Sequence, residues 1–171
     1  MYLVLKNKFG SITGASKVTN EKGEQVYSVE GSFGSNVFTK KYKKTIVNSK
    51  GEKLYTVCNK RIHGLKRACF IYNADEVEVC RIQQQIKLGG GFTVEGLKQK
   101  IEINRVSITS FDILVDGKKT GSIGPDRNEK GKIKMSVTDT FRIEFNDPED
   151  ASFMVAMAVA IDNISDANSR H

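Results

Sequence analysis

Residues 151–161 read ASFMVAMAVAI, a run in which Ser152 is the only polar side chain. A helix that is apolar on every face either spans a membrane or lies inside a protein. About 20 apolar residues are needed to cross a bilayer, whereas a run of 10 to 14 is typical of a buried helix. The run therefore predicts a core helix that the rest of the chain surrounds, and no transmembrane span is expected.

The residues before this run predict where the helix begins. Asp147 is suited to the N-cap, and Pro148 fits the first helical position because its missing N–H needs no partner there. Glu149 and Asp150 place negative charge at the positive end of the helix dipole. We expect one helix over about 148–164, which at about 1.5 Å per residue spans about 25 Å, close to the depth of a small barrel.

Upstream of the helix, the sequence contains a repeat that is typical of β-hairpins. Residues 18–29 (VTNEKGEQVYSV) match residues 46–57 (IVNSKGEKLYTV) at an offset of 28. In each copy a glycine can supply the positive φ of a tight turn, and the flanking β-branched and aromatic residues suit strands. Weaker copies are found over 71–79 and 113–123.

Further alternating stretches predict strands at 2–6, 81–87, 99–103, 132–137 and 140–145. About ten to twelve short strands are therefore expected. Regular spacing without a helical period between the strands favours a meander or a barrel over a βαβ fold, and closing the sheet hides its edges. We expect a mainly β fold, a closed and roughly twelve-stranded antiparallel β-barrel wrapped around one buried hydrophobic C-terminal helix.

Length and composition are those of a single domain. The chain has 171 residues, 39% of them hydrophobic, and only two prolines, and no low-complexity tract divides it. We expect one domain over 1–166 and a polar tail over 167–171. The first ten residues, MYLVLKNKFG, lack the charged and apolar regions of a secretory signal, which predicts a cytoplasmic protein.

Three features of the chain together resemble a known family. They are hairpins of the type V-x-N-x-x-G-E-x-x-Y-x-V, the stretch DTFRIEF over 139–145, and DPED over 147–150 leading into an apolar helix that ends AID at 160–162. In this order they resemble the bacterial branch of the LURP-one-related proteins, from Leu3 to about Ile164. This family belongs to the superfamily of the tubby C-terminal domain and the phospholipid scramblases. The resemblance implies a twelve-stranded barrel around a central C-terminal helix.

For function, the resemblance implies a binding or regulatory module. Tubby domains bind phosphoinositides and affect transcription, scramblases act at lipid, and the plant members are linked to defence. The sequence matches neither the tubby phosphoinositide-binding residues nor the scramblase calcium and palmitoylation segments. Asp126 to Gly131 (DRNEKG) begins like an EF-hand loop, but Lys130 at the fifth position and Val137 at the twelfth cannot supply the oxygen ligands.

The residues themselves indicate no catalytic constellation and no cofactor. A Ser-His-Asp triad needs a base, and the histidines are His63, within a basic tract, and His171, the last residue. The glycines at 89–91 lack the GxGxxG spacing of a phosphate loop and predict a turn or sharp bend. Neighbouring carboxylates, namely Asp112 with Asp116 and Glu76 with Glu78, are expected to be solvated surface charges. We therefore predict that the protein is not an enzyme.

The three cysteines predict neither a disulfide framework nor a zinc site. Cys58, Cys69 and Cys80 form an odd set without a CxxC motif, and only His63 lies nearby in sequence. Small structural thiols on strands are expected, and no metal is predicted.

Charge is the feature that points to a partner. Residues 40–67 hold ten Lys and Arg against Glu52 alone, a local net charge of +9 in a chain whose overall charge is +7. Tyr42, Tyr55 and His63 interleave with these charges, as in a groove that tracks phosphates or on a face that lies on anionic headgroups. The alternative is a solvated barrel surface whose lysines serve solubility.

The predicted anion-binding residues are the cations of this segment that we expect to gather on one barrel face: Lys40, Lys41, Lys43, Lys44, Lys60, Arg61, Lys66 and Arg67. Anionic phospholipid at a membrane surface is the preferred partner. The alternatives are a nucleic-acid-binding or transcription-related factor that uses the same residues, and a protein-interaction scaffold with no small ligand. Strict alternation places Lys40 and Lys44 with Tyr42 and Ile46, so a bulge or an early strand end is expected there.

Overall fold

A computed structural model describes residues 1–6, 16–33, 42–61, 67–85, 90–126 and 140–169 of the chain. Within these ranges lie twelve strands, a 3-10 turn over Pro148–Asp150 and helix α1 over Ala151–Ser169. The strands are β1 Tyr2–Lys6, β2 Ser16–Thr19, β3 Gln25–Phe33, β4 Tyr42–Asn48, β5 Lys53–Arg61, β6 Arg67–Asn73, β7 Glu78–Gln84, β8 Phe92–Glu95, β9 Ile101–Arg105, β10 Phe111–Val115, β11 Lys118–Pro125 and β12 Thr140–Phe145.

The sheet closes on itself, as predicted. Each strand pairs antiparallel with its neighbours in sequence, and the first strand pairs with the last. The closing ladder runs from Tyr2 opposite Glu144 to Lys6 opposite Thr140. Closure leaves none of the twelve described strands with an unpaired edge on which another chain could add a strand.

Helix α1 fills the barrel, which confirms the predicted core helix. Every residue from Met154 to Ile161 is buried, and eight consecutive positions cover the whole circumference of a helix. The strands surround it with inward-facing aliphatic and aromatic side chains, among them Leu5, Val18, Ile46, Ile71, Ile82, Ile103, Ile113 and Ile143. In the described ranges, no helix is both long and apolar enough to cross a bilayer.

The helix begins as predicted and ends later than predicted. Asp147 Oδ1 accepts a hydrogen bond from the Glu149 N–H at 3.0 Å, and Pro148 occupies the first position. The first turn is a 3-10 turn, and the α-helix continues to Ser169, five residues beyond the predicted end. The division of the chain into a domain over 1–166 and a tail over 167–171 stays a prediction.

The sequence repeat corresponds to one turn that is used three times. Asn20, Asn48 and Asn73 each begin a hairpin turn, and each side-chain oxygen accepts hydrogen bonds from the backbone N–H groups two and four residues later. Gly23 and Gly51 both adopt a φ of +81°, and each of these turns is accompanied by a register shift between its two strands. The predicted hairpins are confirmed, including the weaker third copy.

Three strand assignments differ from the sequence analysis. The strand predicted over 81–87 is β7 over Glu78–Gln84, and the one predicted over 99–103 is β9 over Ile101–Arg105. The four-residue β8 was missed because so short a stretch has no resolvable alternation. Gly91 directly precedes it, at a position where an added Cβ would collide with the Ile103 carbonyl oxygen. The predicted strand 132–137 and Gly89 lie outside the described residues.

Alternating strand direction gives the barrel two distinct ends. The turn end carries the connections 20–24, 49–52, 74–77, 96–100 and 116–117 and the start of the helix at 146–150. At the far end, β4 and β6 begin while β5 and β9 end, and helix α1 runs from the turn end towards it.

The core position of the helix gives a direct test. Val159→Asp places a charge at a position with 2% exposure, and burial of an unpaired charge costs several kcal/mol, a large part of a domain's stability. Val77→Asp makes the same change at a turn position with 59% exposure and should shift stability by less than about 0.5 kcal/mol. Urea unfolding followed by circular dichroism compares the two. Equal stability of both variants would contradict the buried helix.

Candidate functional site

The two ends of the barrel differ in charge along the strand termini. Of the twelve strand-terminal residues at the far end, Lys6, Arg61, Arg67 and Arg105 are cationic, and none is acidic. The corresponding positions at the turn end hold Lys53 and Lys118 together with Glu78 and Glu95. The strand termini alone therefore make the far end positive and leave the turn end neutral.

The connecting segments strengthen this separation. The turn-end segments defined above hold nine Asp and Glu against four Lys, a net charge of −5. The sequence segments that join strands at the far end are 7–15, 34–41, 62–66, 85–91, 106–110 and 126–139, and they hold nine Lys and Arg against three Asp and Glu, a net charge of +6. The described strand termini of the barrel thus have a charge asymmetry along its axis, with the positive side at the far end, and the sequence of the connecting segments has a charge bias of the same sign.

Five of the eight predicted anion-binding residues lie on described strands near this far end. Lys43 and Lys44 lie at the start of β4, Lys60 pairs with Ala68, and Arg61 pairs with Arg67 where β5 and β6 meet. Lys40, Lys41 and Lys66 lie outside the described residues, next to the starts of β4 and β6. The other two lysines of the basic segment, Lys50 and Lys53, belong to the turn end.

Lys43 is engaged by an acidic partner from the turn end. Its ammonium lies 3.7 Å from Glu76 Oε1, and Lys53 donates a hydrogen bond to the same oxygen. The hydrogen bond from Lys53, with the Lys43 charge adding to it, lowers the pKa of the Glu76 carboxyl. The Glu76 carboxylate therefore offsets the charge of Lys43. Exposed ion pairs of this kind contribute little to stability.

Lys44 forms an ion pair with the central helix. Its Nζ lies 3.5 Å from Asp162 Oδ2, and the two side chains are 29% and 10% exposed. Asp162 is the first charged residue after the apolar run that fills the barrel. A carboxylate in so little contact with water needs a counter-charge, and β4 supplies it. Lys44 thus links the barrel wall to the helix.

Buried polar groups continue this contact along β5 and β6. The Cys69 thiol donates a hydrogen bond to Asn59 Oδ1 at 2.7 Å, and the buried Asn163 Nδ2 approaches Cys69 Sγ at 4.0 Å. Burial raises the pKa of Cys69 to about 12, although the hydrogen bond from Asn163 acts in the opposite direction. Burial likewise raises the pKa of Cys80 to about 12. The raised pKa values favour the protonated thiols, whereas the thiolate is the reactive nucleophile.

The remaining acidic candidates are occupied by local partners. Asp112 pairs with Lys119 at 2.8 Å, and Asp116 Oδ1 accepts a hydrogen bond from the Lys100 N–H at 3.0 Å. Over the described ranges, no group of three His, Cys, Asp or Glu side chains is arranged to hold a metal ion. His63, His171 and the predicted EF-hand-like residues after Asp126 lie outside the described residues.

The structure also contains a cleft that was not predicted from the sequence. This open cleft of about 370 Å³ lies on the outside of the barrel beside β11, β12 and the start of β1. The Arg142 guanidinium stacks on the Tyr2 ring at 3.5 Å and donates to Glu144 Oε1, and Ser122 donates to the other oxygen of Glu144. These polar side chains contact one another. Their proximity follows from the register of β1, β11 and β12 and could not be predicted from the sequence.

The fold defines a class, a closed antiparallel barrel built around a C-terminal helix. A family model described as LURP-one-related matches residues 1–162, which is nearly the whole chain, and the protein belongs to this family. No curated protein and no solved structure matches the chain.

A double-mutant cycle tests the link between Lys44 and the helix. Lys44→Met and Asp162→Asn should each destabilise the protein by about 1–3 kcal/mol, because each leaves a partly buried group without its charged partner. The double variant should lose less than the sum, with a coupling energy of about 0.5–3 kcal/mol. The matched control is the pair of Lys119 and Asp112, which is less buried at 59% and 30% exposure and for which about 0.2–1 kcal/mol is expected. Additive effects at Lys44 and Asp162 would contradict the link.

Proposed function

We propose that this protein is a non-enzymatic binding or regulatory module that recognises anionic phospholipid headgroups through the far end of its barrel. The observation that carries the proposal is the axial charge asymmetry, with a net charge of +6 in the far-end segments and −5 in the turn-end segments. A planar anionic surface attracts one end of such a molecule and repels the other. The expected result is a preferred, end-on orientation at the membrane.

Six residues carry the headgroup contact in this proposal. Glu76 and Asp162 largely neutralise Lys43 and Lys44, so these two predicted residues contribute less free charge than the others. The other residues of the predicted set then make the contact with the lipid headgroups: Lys40, Lys41, Lys60, Arg61, Lys66 and Arg67. Each Lys or Arg near an anionic membrane contributes about 1 kcal/mol, and the attraction decays over a Debye length of about 8 to 10 Å.

The family context is consistent with such a role. We place the protein in the bacterial branch of the LURP-one-related family and in the superfamily of tubby domains and phospholipid scramblases, and we infer a cytoplasmic location without a bound cofactor. The support is the order of sequence motifs that resembles this branch, together with the family match over residues 1–162. A non-enzymatic role is supported by protonated Cys69 and Cys80 thiols and by surface carboxylates that are held by lysines.

Charge reversal at the far end tests the proposal. The wild type should co-sediment with phosphatidylserine-containing vesicles at low ionic strength, lose most of this binding as salt is added, and not bind pure phosphatidylcholine vesicles. A variant with Lys40, Lys41, Lys60 and Lys66 changed to Glu should lose this binding. The matched control changes four exposed lysines of the turn end to Glu, Lys22, Lys50, Lys98 and Lys118, and reaches the same net charge. The control should retain most of the binding, since the far-end cations remain.

Two other outcomes would replace the proposal. Duplex DNA also binds basic proteins in a salt-dependent way through its phosphates, so it serves as the competitor. Binding to DNA at salt concentrations where vesicles are released would favour a nucleic-acid-binding or transcription-related factor. Binding to neither at low salt would leave a protein-interaction scaffold. Equal loss in both variants would show that net charge, and not the far end, drives association. Thermal unfolding of each variant verifies that the fold is retained.

A further inference from the structure

Two large apolar side chains are exposed together on one turn at the far end. Val106 and Ile108 lie between β9 and β10 and are 64% and 86% exposed. Among the described residues, the other large apolar side chains with high exposure are Met1 and Val77, which are apart from this turn in sequence. Single exposed apolar residues are ordinary, but two of them two positions apart on one short turn, here called the tip, call for an explanation.

Part of the backbone of this turn is hydrogen-bonded within the turn. The N–H groups of Val106 and Ser107 both donate to the Ser110 carbonyl, at 2.9 and 3.2 Å. Backbone groups that are bonded within the turn lower the cost of leaving water, whereas unpaired groups oppose entry into lipid. At the base of the turn, the exposed Arg105 lies over the Phe111 ring at 5.5 Å. A cation at this level can meet anionic headgroups while the tip passes beyond them.

The location of the tip indicates what kind of surface covers it. The tip and the basic strand ends lie at the same end of the barrel, but β7 and β8 separate β9 from β6. Twelve strands spaced by roughly 4.8 Å enclose a mouth on the order of 20 Å across. A flat anionic surface can touch both sides of such a mouth at once, and it offers negative charge to the basic side and an apolar layer to the tip.

We propose that the β9–β10 turn inserts Val106 and Ile108 into the interfacial layer of an anionic membrane while the basic strand ends hold the headgroups. This inference rests on the proposed phospholipid recognition and adds a second, apolar contact to it. Electrostatic attraction then steers the barrel to the membrane, and the tip fixes its depth and orientation. Because burial of apolar area is not screened by ions, part of the binding should persist at high salt.

Changing the tip to serine tests the apolar contact. Val106→Ser together with Ile108→Ser should weaken binding to phosphatidylserine-containing vesicles by at least about tenfold and should abolish the part that persists at high salt. Val77→Ser removes exposed apolar area at the turn end and should leave binding unchanged. Unchanged affinity of the tip variant would overturn the inference. Co-sedimentation at several lipid concentrations measures the affinities.

Site-specific fluorescence tests insertion directly. In a Cys58→Ala background, Cys69 and Cys80 stay buried, so an environment-sensitive dye reacts selectively with a single cysteine placed by Ile108→Cys or by Val77→Cys. The dye at position 108 should shift to the blue on phosphatidylserine vesicles and be quenched by brominated lipid, whereas the dye at position 77 should do neither. Vesicle binding without quenching at position 108 would overturn the tip inference and leave the proposed function standing.

Two further outcomes would also reject the inference. If the wild type fails to bind the vesicles at low salt, the proposed function and the inference both fall. If the dye at position 108 shifts with protein concentration in the absence of vesicles, a second copy of the chain covers the tip, and the membrane inference is wrong.

Discussion

The structure depends on the burial of helix α1 inside the closed sheet. A small barrel can be filled by its own side chains, but a twelve-stranded one is wide enough to need additional material in its interior. The apolar residues Met154 to Ile161 supply it on every face of the helix. Closure requires β1 from one end of the chain and β12 from the other, and the helix follows β12 directly. Sheet closure and core filling are therefore completed by the same C-terminal segment.

The same constraint separates structural from solvent-facing charge. Where the apolar run ends, Asp162 and Asn163 still lie within the barrel, and β4 and β6 meet them with Lys44 and Cys69. Lys44 thus belongs to the contact between the barrel wall and the helix, although the basic residues near it in sequence are still candidates for ligand contact. The tight turns that begin at asparagine, together with the acidic residues in them, lie at the turn end. The turn end thus holds the tight turns and the start of the helix, and the proposed binding surface lies at the other end.

Sequence predicts the parts of this account whose physical causes are local. The capping of the helix by Asp147 and the turns at Asn20 and Asn48 each depend on residues that are close in sequence, so both were predictable. The pairing of Lys44 with Asp162 joins residues 118 positions apart and became visible only with the fold. The axial separation of charge likewise needs the alternation of strand direction. The tip residues Val106 and Ile108 could have been noticed in the sequence, but the end at which they lie could not.

Hydrogen exchange is the measurement that tests the central claim most directly. If the helix is the core of the closed barrel, the amides of Met154 to Ile161 exchange only through global unfolding, with the same free energy as the amides of Ile46 and Val57 in the surrounding strands. Mass spectrometry or NMR across a denaturant series resolves both groups. Exchange of the helix at a free energy well below that of the strands would show that it leaves the barrel while the sheet persists, and would contradict the account.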